Sequence, residues 1–223
     1  MAGGGCSHRS PAALRRRRLQ AIQRSDTRII QSGIDVKFWA QVPPSCSAVR
    51  PASCPGCGAA SREPGKPLRV GGHGLRSRAV EGPEEPEAGP ASRTVLARRY
   101  RCLRCGAVLV VGPRGVARAL RYTLDASGYA LALWGYAQKT AEQVRRAVSA
   151  ARARGLSAPS QWSSLRRWAA RAERIFGSGT PTTSGTLRDR ARLVATWLTA
   201  RAPLPTGQVP RDAFFGGRFV HAR

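Results

Sequence analysis

The hydrophobic and polar positions change their period near residue 120. Before it, short runs of partly alternating apolar residues predict strands over 34–39, 70–80, 94–101 and 107–111. After it, apolar residues recur every three or four positions and predict helices over 124–138, 140–154, 160–176 and 185–200. The chain is therefore predicted to have an α+β fold, in which a small β module precedes an α-helical module.

Composition marks the boundaries of these modules. Residues 1–33 are rich in Gly, Ser and Arg and predict a basic arm that is disordered or forms a short helix. The β module spans 34–112, and its Glu-, Pro- and Gly-rich stretch at 81–91 predicts a flexible, solvated loop. A helical domain follows at 120–176 and an extra helix at 184–200, and residues 201–223 are predicted to form an irregular tail.

Two Cys-x-x-Cys pairs are the main chemical feature of the β module: Cys54 with Cys57, and Cys102 with Cys105. A glycine follows each pair and accepts the turn dihedral angles that bring both sulfurs onto one metal. Four thiolates complete a tetrahedral zinc shell with no open position, so the motif predicts one structural Zn²⁺ ion and no zinc catalysis. A redox Cys-x-x-Cys pair is the alternative, but it requires a βαβ context, and these pairs lie among strands and turns.

The segments around the cysteines resemble a known family. The sequences SCPGCG at 53–58, GHGLRSR at 72–78 and RRYRCLRCG at 98–106 are similar to the zinc ribbon that opens many bacterial insertion-sequence transposases. They are especially similar to an uncharacterised bacterial family that joins this ribbon to a helix-turn-helix, and the resemblance covers roughly 35–176. It implies that the ribbon helps to bind DNA. The acidic stretch at 81–90 departs from the family pattern, which implies that this loop points away from a phosphate backbone.

The helices predicted over 140–154 and 160–176 are joined by a short turn, which is the order of a helix-turn-helix. In the second of them, Trp162, Leu165 and Trp168 predict a core face. The opposite face has small polar residues first and arginines later, as a recognition helix requires. The predicted nucleic-acid contacts are Ser160, Gln161, Ser164, Arg167, Arg171 and Arg174, together with Arg145 and Arg146 on the preceding helix. A solvated arginine face is the alternative interpretation.

The chain carries a net charge of +26, from 38 basic and 12 acidic residues, and such a balance favours a polyanionic partner. Part of the arginine excess reflects the codon usage of a GC-rich genome, but the shortage of acids does not. Double-stranded DNA is the predicted partner, and the alternative is an RNA-binding or assembly subunit of a nucleoprotein complex. No apolar run is long enough for a membrane span, and metal-type cysteine spacing favours the reducing cytoplasm, with nucleoid association when DNA is bound.

Catalytic motifs are not apparent in the sequence. There is no phosphate-binding P-loop, and His8, His73 and His221 lie in predicted loops or termini. The acids after the β module do not lie in strand-like apolar runs, where a two-metal nuclease would hold them; they are Asp125, Glu142, Glu173, Asp189 and Asp212. The sequence therefore predicts a non-catalytic, zinc-dependent DNA-binding protein of the mobile-element type. A transposase or nuclease with its own active site is the less favoured alternative.

Overall fold

The computed structural model describes residues 27–117, 120–150 and 162–220. In this part of the chain, a four-stranded mixed sheet and seven helices confirm the predicted α+β class. Two hydrophobic cores form, one between the sheet and a short helix and one inside the helical unit. No helix in the described ranges is long and apolar enough to cross a membrane.

The sheet has the strand order β1-β4-β3-β2. Its strands and the helix that covers it are β1 (Arg28–Asp35), α1 (Val36–Gln41), β2 (Val70–Gly82), β3 (Ala91–Cys102) and β4 (Val108–Arg114). β1 runs parallel to β4, whereas β2 with β3 and β3 with β4 are antiparallel. Trp39 of α1, Tyr100 of β3 and Leu109 of β4 are fully buried in the core on one face of this sheet.

Two predictions at the start of the sheet are wrong. Residues 28–33 belong to β1 and not to a disordered or helical arm, because Ile29 and Ile30 pair with Val110 and Val111 of the distant strand β4. The strand predicted over 34–39 stops at Asp35. There the Asp35 side chain accepts a hydrogen bond from the Lys37 N–H at 2.9 Å and caps α1, which turns the chain away from the sheet.

The helical unit is arranged around one buried helix. Its members are α2 (Leu124–Gly135), α3 (Ala141–Val148), α4 (Ser163–Ala170), α5 (Ala172–Phe176), α6 (Leu187–Thr199) and α7 (Val209–Phe219). α2 is apolar on nearly all sides and contacts α3, α4, α6 and α7. Its small residues allow this, since a Cβ added at Gly135 would lie 2.4 Å from the Arg192 N of α6.

The predicted helices of this unit appear with shorter bounds. Thr140 begins α3 with the predicted capping box, but α3 ends at Val148 and not near 154. The predicted third helix is divided at Arg171 into α4 and α5. The turn predicted at 155–159 to join the second and third helices lies outside the described residues, so the helix-turn-helix stays a prediction.

The prediction of an irregular tail over 201–223 is wrong, because Val209–Phe219 form the helix α7. Pro210 and the pair Gly216–Gly217 indicate a loop in the sequence, yet Pro210 occupies the first turn, where proline is tolerated. The glycines allow close packing, because a Cβ at Gly216 would lie 1.8 Å from the Leu198 carbonyl oxygen of α6. Phe214, two residues before Gly216, is fully buried and contacts the ring of Tyr129 of α2.

The acidic stretch between β2 and β3 packs more than predicted. Glu81, Gly82, Pro83 and Pro86 are buried. Glu84 forms an ion pair with Arg93 of β3, and Glu87 lies 3.7 Å from Arg211 of α7. Burial in this hairpin is therefore confined to 81–83 and Pro86, whereas Glu84, Glu85 and Glu87 are exposed and the Glu87 carboxylate contacts the C-terminal helix.

Arg218 of α7 joins the sheet to the helical unit. Its Nε lies 3.2 Å from Asp125 Oδ2 of α2 and 3.6 Å from Asp35 Oδ2 at the end of β1. Its Nη2 donates a 3.0 Å hydrogen bond to the Glu84 carbonyl oxygen. Burial raises the pKa of Asp125, and the positive charge of Arg218 opposes this shift. Without the arginine, a buried carboxylate would lack its cation.

Replacing Arg218 with Met should lower the free energy of unfolding at pH 8 by roughly 3–5 kcal/mol, the cost of leaving a buried charge unpaired. Because the pKa of Asp125 is raised in the folded state, protonation favours folding, and the deficit should shrink at pH 5. Urea unfolding of variant and wild type at both pH values measures this. The control Arg211→Met removes the exposed pair with Glu87 and should cost below about 1 kcal/mol at either pH. A deficit of equal size at pH 5 and pH 8 would contradict the account.

Candidate metal centre and arginine surfaces

The four cysteines of the two Cys-x-x-Cys pairs lie together at one end of the sheet. Cys54 Sγ is 3.7 Å from Cys105 Sγ, and Cys57 Sγ is 3.7 Å from Cys102 Sγ. All four sulfurs lie within 4.8 Å of one another. Each short distance thus joins one cysteine of the first pair to one of the second, so the cluster cross-links two separate segments.

Both cysteine pairs sit in the same type of turn. The Gly58 N–H donates to the Cys54 carbonyl at 2.8 Å, and the Gly106 N–H donates to the Cys102 carbonyl at the same distance. Gly58 has φ +70° and Gly106 has φ +76°, which L side chains adopt only with strain. The predicted need for a glycine after each pair is therefore met by the backbone.

The geometry fits one tetrahedral metal ion. A Zn–S bond of about 2.3 Å places tetrahedral sulfurs about 3.8 Å apart, and the two close S–S distances of 3.7 Å match this value. The four cysteines can hold one ion, and the set fits a structural zinc. Because all four positions would be taken by protein sulfur, the site has no place for a substrate.

The protonation of the sulfurs depends on their surroundings. Burial tends to raise the pKa of Cys102, but hydrogen bonds from the backbone N–H groups of Cys105 and Arg104, together with those from the Cys105 and Cys54 thiols, outweigh it and lower that pKa. For Cys105, the Ala107 N–H lowers the pKa, whereas burial and the neighbouring sulfurs raise it more strongly. Metal binding requires thiolates at all four positions, so it releases protons and weakens as the pH falls.

The predicted nucleic-acid contacts lie on the helical unit. Arg167, Arg171 and Arg174 are exposed along α4 and α5, and Ser164 is half-buried on α4. Leu165, Trp168 and Ala169 hold the inner side of α4 in the core, as the apolar spacing predicted. Ser160 and Gln161 lie outside the described residues. We call the exposed side formed by Arg166, Arg167, Arg171 and Arg174 the helical arginine face.

The two predicted contacts on α3, Arg145 and Arg146, are less available for a partner than the helical arginine face. Arg146 forms an i,i+4 ion pair with Glu142, and Arg145 is half-buried. The predicted approach of both side chains to a DNA backbone stays a prediction.

A second group of arginines, which the sequence did not mark as contacts, lies on the sheet. Arg76 and Arg78 alternate along β2, and Arg99 and Arg101 alternate along β3. The period of two in these short Arg-x-Arg runs is the signal that could have identified them, because alternate strand residues share one face.

The buried carboxylates of the described chain have structural partners. Asp125 pairs with Arg218, and Glu81 lies 2.5 Å from Arg121 and accepts a hydrogen bond from Ser149. Asp212 accepts hydrogen bonds from the backbone N–H groups of Thr206 and Gly207. Within the described ranges, the four cysteines are the one group of three or more His, Cys, Asp or Glu side chains close enough to share a metal ion.

No protein-family model, curated protein or solved structure matches this chain in comparisons. The resemblance to the ribbons of insertion-sequence transposases therefore stays a prediction.

Replacing Cys57 with Ser should abolish stoichiometric metal binding and lower the melting temperature, because metal binding contributes on the order of 10–16 kcal/mol to folding in small zinc modules. Metal content by mass spectrometry and thermal unfolding followed by circular dichroism measure the two effects. Cys46→Ser is the matched control, since Cys46 is half-buried and lies outside the cluster. It should retain one ion per chain. Full metal content in Cys57→Ser would contradict the assignment.

Proposed function

We propose that this protein is a non-catalytic, zinc-dependent nucleic-acid-binding protein whose partner is double-stranded DNA. The zinc ion closes the four-cysteine cluster and has a structural role. The helical arginine face contacts the duplex, with Ser160, Gln161 and Ser164 near base edges and the arginines toward phosphates. The resemblance to the DNA-binding part of transposases supports a role in mobile elements.

The observation that carries the proposal is the uneven placement of charge. Most ion pairs in the described chain use acids in turns or at the contact between sheet and helices, as with Glu63, Glu84 and Asp125. The helical arginine face forms no ion pair in that part of the chain. A chain with a net charge of +26 thus presents unneutralised cations on its surface, which a polyanion would neutralise.

The side chains of this face suit phosphate binding. Arginine presents a planar fork of donors that can bind phosphate oxygens in a bidentate manner. The rigid inner side of α4, with Leu165 and Trp168 buried, fixes the direction in which Arg167 projects. Arg167 donates to the hydroxyls of Ser163 and Ser164 at 3.4 Å, which positions the guanidinium near the helix start.

The triple variant Arg167→Gln/Arg171→Gln/Arg174→Gln tests this proposal. If all three arginines contact phosphates, losing them should weaken duplex binding at 0.1 M salt by on the order of 500-fold, because each neutralised phosphate contributes about 0.9 to the salt slope. Fluorescence anisotropy with a labelled random-sequence duplex measures the affinity.

The matched control removes three other exposed arginines in Arg62→Gln/Arg192→Gln/Arg201→Gln, and it should bind within a few-fold of wild type. Equal losses in both triple variants would contradict a specific role for the helical arginine face. Competition with structured RNA at the same salt identifies the alternative: a clear preference for RNA would replace DNA as the partner.

A further inference from the structure

One face of the sheet carries a group of arginines. β2 places Arg76 on this face, where it pairs across the ladder with Ala97, and β3 places Arg99 there, where it pairs with Val110. Arg101 lies two residues further along β3 and shares the face. The opposite face holds Tyr100 and Leu109 in the core. The strand period therefore places Arg76, Arg99 and Arg101 together on one face, where they adjoin the buried side chains of Val95 and Ala97.

This face is concave, and we call its concave part the sheet groove. Its floor is aliphatic, with Ile29, Ala97 and Val110, and its sides carry Arg76, Arg78, Arg99 and Arg121. Thr27, the first described residue, lies at its edge. No Asp, Glu or aromatic side chain lines the groove among the residues that the structure describes.

The arginines of the groove divide into two kinds. Arg78 donates to the carbonyl oxygens of Ala117 and Leu120, and Arg121 pairs with Glu81, so both are used by the fold. Arg76 and Arg99 form no hydrogen bond through their side chains and no ion pair in the described ranges. Burial, and then repulsion from Arg76, lower the pKa of Arg78. The cations therefore disfavour one another, and an anion in the groove would relieve this repulsion.

The chemistry of the groove favours a repeated anion. Arg76 and Arg99 lie on neighbouring strands, and because Arg76 pairs with Ala97 they are diagonal neighbours, which are about 7–8 Å apart on one face of a sheet. This separation suits successive phosphates better than one compact anion. The absence of aromatic side chains from its described lining removes the usual platform for stacking bases. A guanidinium row beside an aliphatic floor is suited to phosphates and sugars, which carry no sequence information.

We propose that the sheet groove binds the sugar–phosphate backbone of nucleic acid through Arg76 and Arg99, as a second contact surface in addition to the helical arginine face. The inference rests on the proposed nucleic-acid binding and adds a second surface to it. Contacts of this kind set affinity and orientation on the duplex.

The test is the double variant Arg76→Gln/Arg99→Gln, used as the zinc-loaded full chain. Losing two phosphate contacts should weaken binding to a labelled random-sequence duplex at 0.1 M salt by on the order of 50-fold. The control Arg62→Gln/Arg192→Gln makes the same change in net charge at exposed sites outside the groove and should stay within about threefold of wild type. Arg76→Lys/Arg99→Lys keeps both charges and should retain most of the affinity.

The melting temperature of the double variant and the binding affinities of variant and wild type distinguish the possible outcomes. The melting temperature of Arg76→Gln/Arg99→Gln should not fall, since neither side chain forms a hydrogen bond or ion pair in the described chain. Weaker binding accompanied by a lower melting temperature would show that the two arginines stabilise the fold, and it would overturn the inference. Wild-type affinity in the double variant would overturn it too, while leaving the proposed function intact. If wild-type protein binds neither duplex DNA nor RNA, the proposed function fails, and the groove inference fails with it.

Discussion

The four-sulfur cluster is the constraint on which the sheet depends. It joins the loop at 54–57 to the turn between β3 and β4, and β3 and β4 are the two central strands. Cys54 and Cys102 are fully buried and belong to the same core as Trp39 and Tyr100. A metal here would contribute free energy comparable to the whole stability of a small domain. The ordering of the sheet and the binding of the ion are therefore expected to be one event.

The placement of acids links this sheet to the helical unit and leaves the arginines outside. At the contact between the two units, Arg211 of α7 pairs with Glu87, and Arg218 of α7 pairs with Asp35 and Asp125, so this contact uses three of the 12 acids. Residues 81–83 and Pro86 of the acidic stretch at 81–90 are buried, whereas Glu84, Glu85 and Glu87 are exposed. The helical arginine face, and Arg76 and Arg99 of the sheet groove, form no ion pair in the described chain, and this asymmetry is the physical basis for the proposed polyanionic partner.

Features encoded by near neighbours could be predicted from the sequence, and features created by distant contacts could not. The cysteine turns with Gly58 and Gly106, and the capping box at Thr140, depend on residues within a few positions and appear where expected. The strand at 28–33 depends on pairing with β4, and α7 depends on the close approach of Gly216 to α6. Burial of Glu81 depends on Arg121 and Ser149, which are far along the chain. Local composition indicates the opposite structure at each of these places.

The salt dependence of duplex binding by the zinc-loaded wild-type protein tests the central claim most directly. If six to eight phosphates are neutralised, the logarithm of the binding constant should fall linearly with the logarithm of salt concentration, with a slope of about −5 to −7. This slope requires many arginine–phosphate contacts and does not depend on knowing the preferred DNA sequence. A slope near zero, or no measurable binding at low salt, would contradict the account.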